Sequence, residues 1–274
     1  MRPVLSSLAI VAACSGMVRV AAADPATSRV FDAPTAWLAP HGGVTATGTL
    51  DLVGLADRRF ESSIALGYGL GDLATIELGS DTDVRGCTDC SARPVPLNLG
   101  RASFRMGAHQ DAWFRGMPAL AIGMRTTYAA GDRFDHARVT DGFVVASRVL
   151  GPVRLHAGAS VIDAGFDHDD GTTTRTITLG PKLRPLAGFE WTPSQYPRTS
   201  LMGDVVYVPR LERDVDAGRV GVELEWLAAW GVRYQAFSWG AIDLAVRHRE
   251  DEGLGDTRVL MRLVGVWDPA RRPR

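Results

Sequence analysis

From Val44 to Trp267 the chain alternates apolar and polar residues with a period of two. Phe60, Ile64, Leu66, Tyr68 and Leu70 stand against Glu61, Ser63, Ala65 and Gly67. Val153, Leu155, Ala157, Ala159 and Val161 stand against Arg154, His156, Gly158 and Ser160. Val220, Val222, Leu224 and Trp226 stand against Arg219, Gly221, Glu223 and Glu225. Successive side chains of a strand point to opposite faces, so this pattern builds a two-faced strand and suits no helix. No later stretch sustains a helical period, and the chain is predicted to be all-β.

The alternation predicts twelve strands, near 44–53, 60–70, 72–80, 98–109, 117–128, 140–150, 152–163, 182–191, 199–208, 218–227, 231–248 and 257–267. The segment 231–248 is read as one strand. Val232, Tyr234, Ala236, Ile242, Leu244 and Val246 keep one phase through Ser238-Trp239-Gly240, where a turn is the alternative. Short connections fall at 69–72, 110–116, 151–152, 192–198 and 227–230; longer, charged ones fall at 54–59, 81–97, 129–139, 164–181, 209–217 and 249–256. Tight turns at one end and long polar loops at the other describe an up-and-down antiparallel transmembrane β-barrel. An even strand count puts both ends of the barrel on the short-turn, periplasmic side.

Alternation alone does not say which face is inside, because a soluble barrel alternates too. The placement of aromatics helps to decide. Trp113, Trp191, Trp226, Trp230 and Trp267 all fall at or beside predicted short-turn ends, and Tyr128 and Tyr207 near the opposite ends. Amphipathic rings collect at membrane interfaces, so the five tryptophans read as a girdle. Bulk composition agrees with a two-sided wall: mean hydropathy is zero. That value excludes a bundle of membrane helices. With 30 basic and 31 acidic residues the net charge is −1, which gives no basic field for nucleic acid.

Met1-Arg2-Pro3, the apolar run Val4–Val18 and Ala21-Ala22-Ala23 form a signal peptide over 1–23, cleaved after Ala23. Cys14, in Val11-Ala12-Ala13-Cys14, offers a rival lipidation site. The division that follows is a periplasmic lead-in at 24–43, the barrel at 44–267 and a tail at 268–274. In an exported chain Cys87 and Cys90 are expected to close a small disulfide. No second pair is present to complete a zinc site.

With these features the chain resembles the porin-like outer-membrane β-barrel proteins of Gram-negative bacteria. Ala33-Pro34-Thr35-Ala36-Trp37-Leu38-Ala39-Pro40 looks like the lead-in to the first strand of exopolysaccharide-associated barrels. The resemblance implies contact with outer-membrane lipids and with the barrel assembly machinery, which reads a terminal aromatic. Here that aromatic is Trp267, followed by seven further residues through Arg274.

The polar face, taken as lumen, presents Arg101, Arg105, Arg125, Arg148, Arg154, Lys182, Arg184, Arg219, Arg233, Arg247, Arg258 and Arg262. Facing them are Asp51, Glu61, Glu77, Glu190, Asp204, Glu223, Glu225 and Asp243. The excess of cations predicts passage or binding of small polar solutes with a slight anion preference. A structural barrel plugged by arginine–carboxylate pairs is the alternative. A hydrolase is the third reading, but His156 and Ser160 are about 13 Å apart along one strand. The chain has no Gly-x-Ser-x-Gly elbow, His109 selects no serine, and no enzyme activity is expected. Asp167, His168, Asp169 and Asp170 read as a solvated loop. No metal or cofactor is implied.

Overall fold

A computed structural model describes residues 29–53, 59–88, 94–129, 134–169, 172–214, 218–253 and 257–269. The expected export signal, its cleavage position and Cys14 lie outside the described residues. The strands are β1 (Val44–Val53), β2 (Arg59–Leu70), β3 (Ala74–Asp81), β4 (Arg85–Cys87), β5 (Val95–Pro96), β6 (Leu99–Ala108), β7 (Ala119–Ala129) and β8 (Asp135–Leu150). They continue with β9 (Val153–Asp169), β10 (Thr174–Thr178), β11 (Lys182–Trp191), β12 (Thr199–Asp214), β13 (Arg219–Phe237), β14 (Gly240–Arg249) and β15 (Arg258–Trp267). Leaving out β4, β5 and β10, the strands pair antiparallel in chain order, and β15 pairs back onto β1 with Trp267 opposite Val44. The result is a closed twelve-strand up-and-down barrel. Closure leaves no unpaired wall edge, which lipid does not tolerate.

The two faces divide as the alternation demands. Phe60, Ile64 and Leu183 are each 67% exposed on the outside, while Asp243 and Arg233 are 0% and 1% exposed within. Apolar side chains on the outer surface and ion pairs at the centre invert the usual soluble arrangement. The outer band is what a hydrocarbon environment requires.

Three sequence expectations need correction. The first concerns the eleventh and twelfth strands. β13 runs unbroken through Leu227–Trp230, and the turn lies at Ser238-Trp239, with Phe237 opposite Gly240. A two-residue turn flips side-chain parity. The register shift between Tyr234 and Phe237 flips it back, so even-numbered residues face outward on both sides and the turn left no break in phase. One false break and one missed turn cancelled, which preserved the strand count.

The second correction follows from the first. Trp113, Trp191 and Trp267 stand at the short-turn rim, 75%, 40% and 61% exposed, and Trp239 joins them at 60%. Trp226 and Trp230 do not: they pair with Tyr207 and Gly203 within the wall. Among the described residues, the tryptophans at the short-turn rim are therefore Trp113, Trp191, Trp239 and Trp267. Tyr207 also sits mid-wall, since β12 runs on to Asp214.

Thirdly, Arg148 is exposed on the outer face. In β8 the inward residues are Val139, Asp141, Phe143, Val145 and Ser147, all buried. That inward face is largely apolar, so charge was a false marker of orientation there. The long loops are also partly strand: β8, β9 and β12 extend past their predicted ends, and β10 hairpins onto β9.

Candidate functional site: the occupied lumen

The stretch preceding β1 turns into the barrel. Val30 and Ala33 are 0% exposed, and their neighbours bond to inward-facing side chains of the wall. The segment 29–40 is thus inside the barrel, which corrects the expected periplasmic lead-in. Arg29 bridges to Pro34 and the Val30 N–H donates to the Ala33 carbonyl at 3.0 Å, so the tip is a tight turn. From that tip the chain descends past Ala36 and Ala39 to the short-turn rim, where it joins β1. Small residues let it fit: Ala33, Ala36 and Ala39 are each at most 2% exposed.

The wall binds this segment through its backbone. Asp204 Oδ2, from β12, accepts the N–H groups of Phe31, Asp32 and Ala33 at 2.9, 2.7 and 2.7 Å. Arg262, from β15, donates to the carbonyl of Phe31 at 2.8 Å and to that of Val30, and its guanidinium lies 5.5 Å from the Phe31 ring centre. Ser147 Oγ accepts from Ala36 N–H at 2.8 Å and Thr75 Oγ1 from Ala39 N–H at 2.9 Å. The Asp32 carboxylate takes both Nη2 (2.6 Å) and Nε (3.2 Å) of Arg247. These wall side chains supply partners to backbone groups of the turn that would otherwise be stranded from water, as burial requires.

A second element closes the upper mouth. Val84 and Arg85, which follow β3, are buried, and β4 pairs parallel with Arg210–Glu212 of β12. Asp83 reaches Arg247 at 2.6 Å and its carbonyl accepts from Arg249 at 2.9 Å. Arg85 pairs with Glu252 and lies 3.8 Å from Asp251. Beneath it Val84, Leu97, Leu99, Phe134, Phe166 and Leu211 form an apolar cluster. Gly86 is required there, because a Cβ would stand 2.2 Å from the Phe134 ring. Cys87 is disulfide-bonded, and Cys90 lies outside the described residues.

Of the arginines expected to line a conducting lumen, Arg101, Arg105, Arg125, Arg154, Arg233, Arg258 and Arg262 do point inward, but they are engaged. Arg101 bonds Glu77 at 2.7 Å, Arg125 bonds Asp141 at 2.8 Å, and Arg154 bonds Glu190 at 3.2 Å. Arg233 and Arg262 share Asp243, and Arg258 joins Glu61 at 2.7 Å and Glu252 at 3.2 Å. Glu223 and Glu225 both meet Arg210, at 2.8 and 2.5 Å. Arg105 lies 5.9 Å from the Phe143 ring centre. Arg219 belongs to the β12–β13 hairpin end, opposite Asp214. The space beside the lead-in is a cavity of about 50 Å³ lined by Arg29, Asp32, Asp51, Arg101, Arg247 and Arg262 among others. That is room for a few waters.

One constellation was invisible in sequence. His156 of β9 does not meet Ser160; it is the register partner of Ser147 on β8. Ser147 Oγ lies 2.7 Å from His156 Nδ1, and His156 Nε2 lies 3.1 Å from Glu190 Oε1 on β11. Glu190 also takes Arg154. All three members are 7% exposed or less. Only the pairing of three strands brings them together, so spacing along one strand carried no signal. Among the described residues no cluster of three or more metal-ligating side chains occurs.

No protein-family model matches the chain, and neither does any of the curated proteins. Solved structures do. The NanC porin is 9% identical with a TM-score of 0.50, over 82% of this chain and 98% of that one. The KdgM porin, solved with a disordered oligogalacturonate, is 6% identical with a TM-score of 0.47, over 82% and 98%. The outer membrane phospholipase A of Escherichia coli is 12% identical with a TM-score of 0.45, over 84% and 97%. At 9% identity the likeness to the NanC porin speaks for the fold alone.

Proposed function

We propose that this porin-like barrel resides in the outer membrane and admits small polar solutes only when its lead-in leaves the lumen. The observation that supports this reading is how segment 29–40 is held. It is bonded by individual side chains, chiefly Asp204, Arg262 and Arg247, and not by continuous strand pairing. A segment bound in that way is a ligand of the wall and can dissociate without breaking the barrel. Its departure exposes Asp204, Arg247, Arg262 and Asp243, a polar surface suited to hydrated solutes. The ion pairing of the arginines removes the basis for a strong anion preference in the closed state. Delivery by the export signal and insertion by the barrel assembly machinery, with Trp267 at the end of the last strand, complete the proposal.

Planar-bilayer recording tests it. Wild-type protein should be silent with rare openings, and Asp204→Ala, which removes the acceptor of three N–H groups, should conduct in sustained steps. The second reading, a structural barrel with a permanent plug, draws support from the separate closure at the upper mouth by Asp83 and Arg85. Persistent silence of Asp204→Ala in a folded, reconstituted sample would favour it.

A further inference from the structure

We infer that Ser147, His156 and Glu190 form a nucleophilic site for carboxylic esters of small polar solutes, covered in the closed state by Ala36. The inference rests on the proposed departure of the lead-in. Its geometric basis is a continuous relay. Glu190 Oε1, 3.1 Å from Nε2, accepts the hydrogen bond of that N–H and fixes the ring. Nδ1 is then left as an acceptor, 2.7 Å from Ser147 Oγ, where it can draw off the hydroxyl proton. A hydroxyl, an imidazole and a carboxylate in bonded sequence are recognised as a triad by geometry and role, not by order in the chain.

Location favours a function over simple wall-filling. Ser147 lies three residues from the lower end of β8, His156 three from the start of β9, and Glu190 one from the end of β11. The site therefore faces the short-turn mouth. Arg154, two residues from His156 on the same inward face and 3.2 Å from Glu190, adds a cation at this level. The lone pair of Ser147 that a nucleophile would use is occupied by the Ala36 N–H at 2.8 Å. Closure thus silences the group it covers.

The chemistry balances without a cofactor. Ser147 Oγ bonds to the ester carbonyl carbon as its proton passes to His156 Nδ1. The bond to the alcohol oxygen breaks, and that oxygen leaves with the proton from His156. Water, deprotonated by the same nitrogen, then attacks the acyl-serine, releases the carboxylic acid and restores the hydroxyl. An alkoxide is a far better leaving group than an amide anion, which argues for esters.

The test is labelling of full-length, detergent-folded protein by a fluorophosphonate probe, with mass spectrometry to locate the adduct. Wild type should label slowly at Ser147, and Asp204→Ala and Ala36→Pro, each of which weakens the hold on the lead-in, should label faster. Ser147→Ala should not label, and His156→Ala should slow labelling by roughly 100-fold. Glu190 acts through His156 and is a positioning residue: Glu190→Gln should slow the reaction and Glu190→Asp restore part of it, with heat-modifiable gel migration unchanged in both. No Ser147 adduct in wild type, Asp204→Ala or Ala36→Pro overturns the site, whatever their conductance. An Asp204→Ala sample that labels yet stays silent in the bilayer keeps the site and refutes the gate.

Discussion

Arg247 and Asp32, 215 residues apart in the chain, meet at 2.6 Å inside the barrel. The same guanidinium bonds Asp51 and Asp83, each at 2.6 Å. One cation thus gathers the lead-in, the wall and the inward loop at a single point. Removing it strands two buried acids, Asp32 and Asp51, beside the partly buried Asp83. Arg247→Ala should cost about 3–5 kcal/mol of barrel stability, the scale for breaking a buried charge cluster from one side. Urea unfolding in lipid vesicles measures this, and a cost below about 1 kcal/mol would mean that water reaches the cluster freely.

Closure should depend on pH through Asp32. Burial, reinforced by Asp83, Asp204 and Asp51, raises its carboxyl from 3.8 to about 7 despite the pull of Arg247. The docked segment therefore holds a proton that the free segment gives up. The resulting stabilisation is full below about pH 4 and is lost as pH rises through 7. Open probability in the bilayer should increase between pH 5 and pH 8. Asp32→Asn, which cannot ionise, should flatten that dependence.

Gly69 offers a steric route to the same state. A Cβ there would stand 2.1 Å from the Pro40 carbonyl oxygen, a backbone atom that cannot step aside alone. Gly69→Ala should displace the lead-in where it leaves the wall and raise conductance, while the β2–β3 register persists. Unaltered silence with intact folding would show that the rim accommodates the shift.

The tryptophan placement can be read by depth-dependent quenching. In single-tryptophan variants, Trp230 should be quenched best by lipids brominated deep in the acyl chain, and Trp239 by lipids brominated near the headgroup. Equal depths would restore the five-residue girdle. A charge on the outer band tests the orientation itself: Leu244→Arg, on an exposed mid-strand position, should cost about 2–4 kcal/mol in lipid.

The wall was legible in sequence wherever one face was apolar and the other polar. β11 matches its expected limits at Lys182 and Trp191, and β1 matches at Val44 and Val53. Legibility failed where two local irregularities cancelled, as at Tyr234–Gly240, and where the inward face was largely apolar and the outer one carried charge, as in β8. The candidate site was less accessible still. Ser147, His156 and Glu190 read as three unrelated polar residues until strand pairing joined them. Val30, Phe31 and Leu38 were an apolar hint that the lead-in is buried, but nothing local says what buries it. Its receptor is assembled from residues as distant as Thr75 and Arg262.

The lead-in ends at Pro40 and the wall begins at Val44, so a displaced segment remains on a leash of three residues. A tether that short confines the turn to the volume just outside its own binding site, at an effective concentration in the millimolar range. Rebinding is then a unimolecular step that does not weaken on dilution. A solute present at micromolar levels would compete poorly against such a neighbour, and passage would be governed by how often the chain lets go of itself.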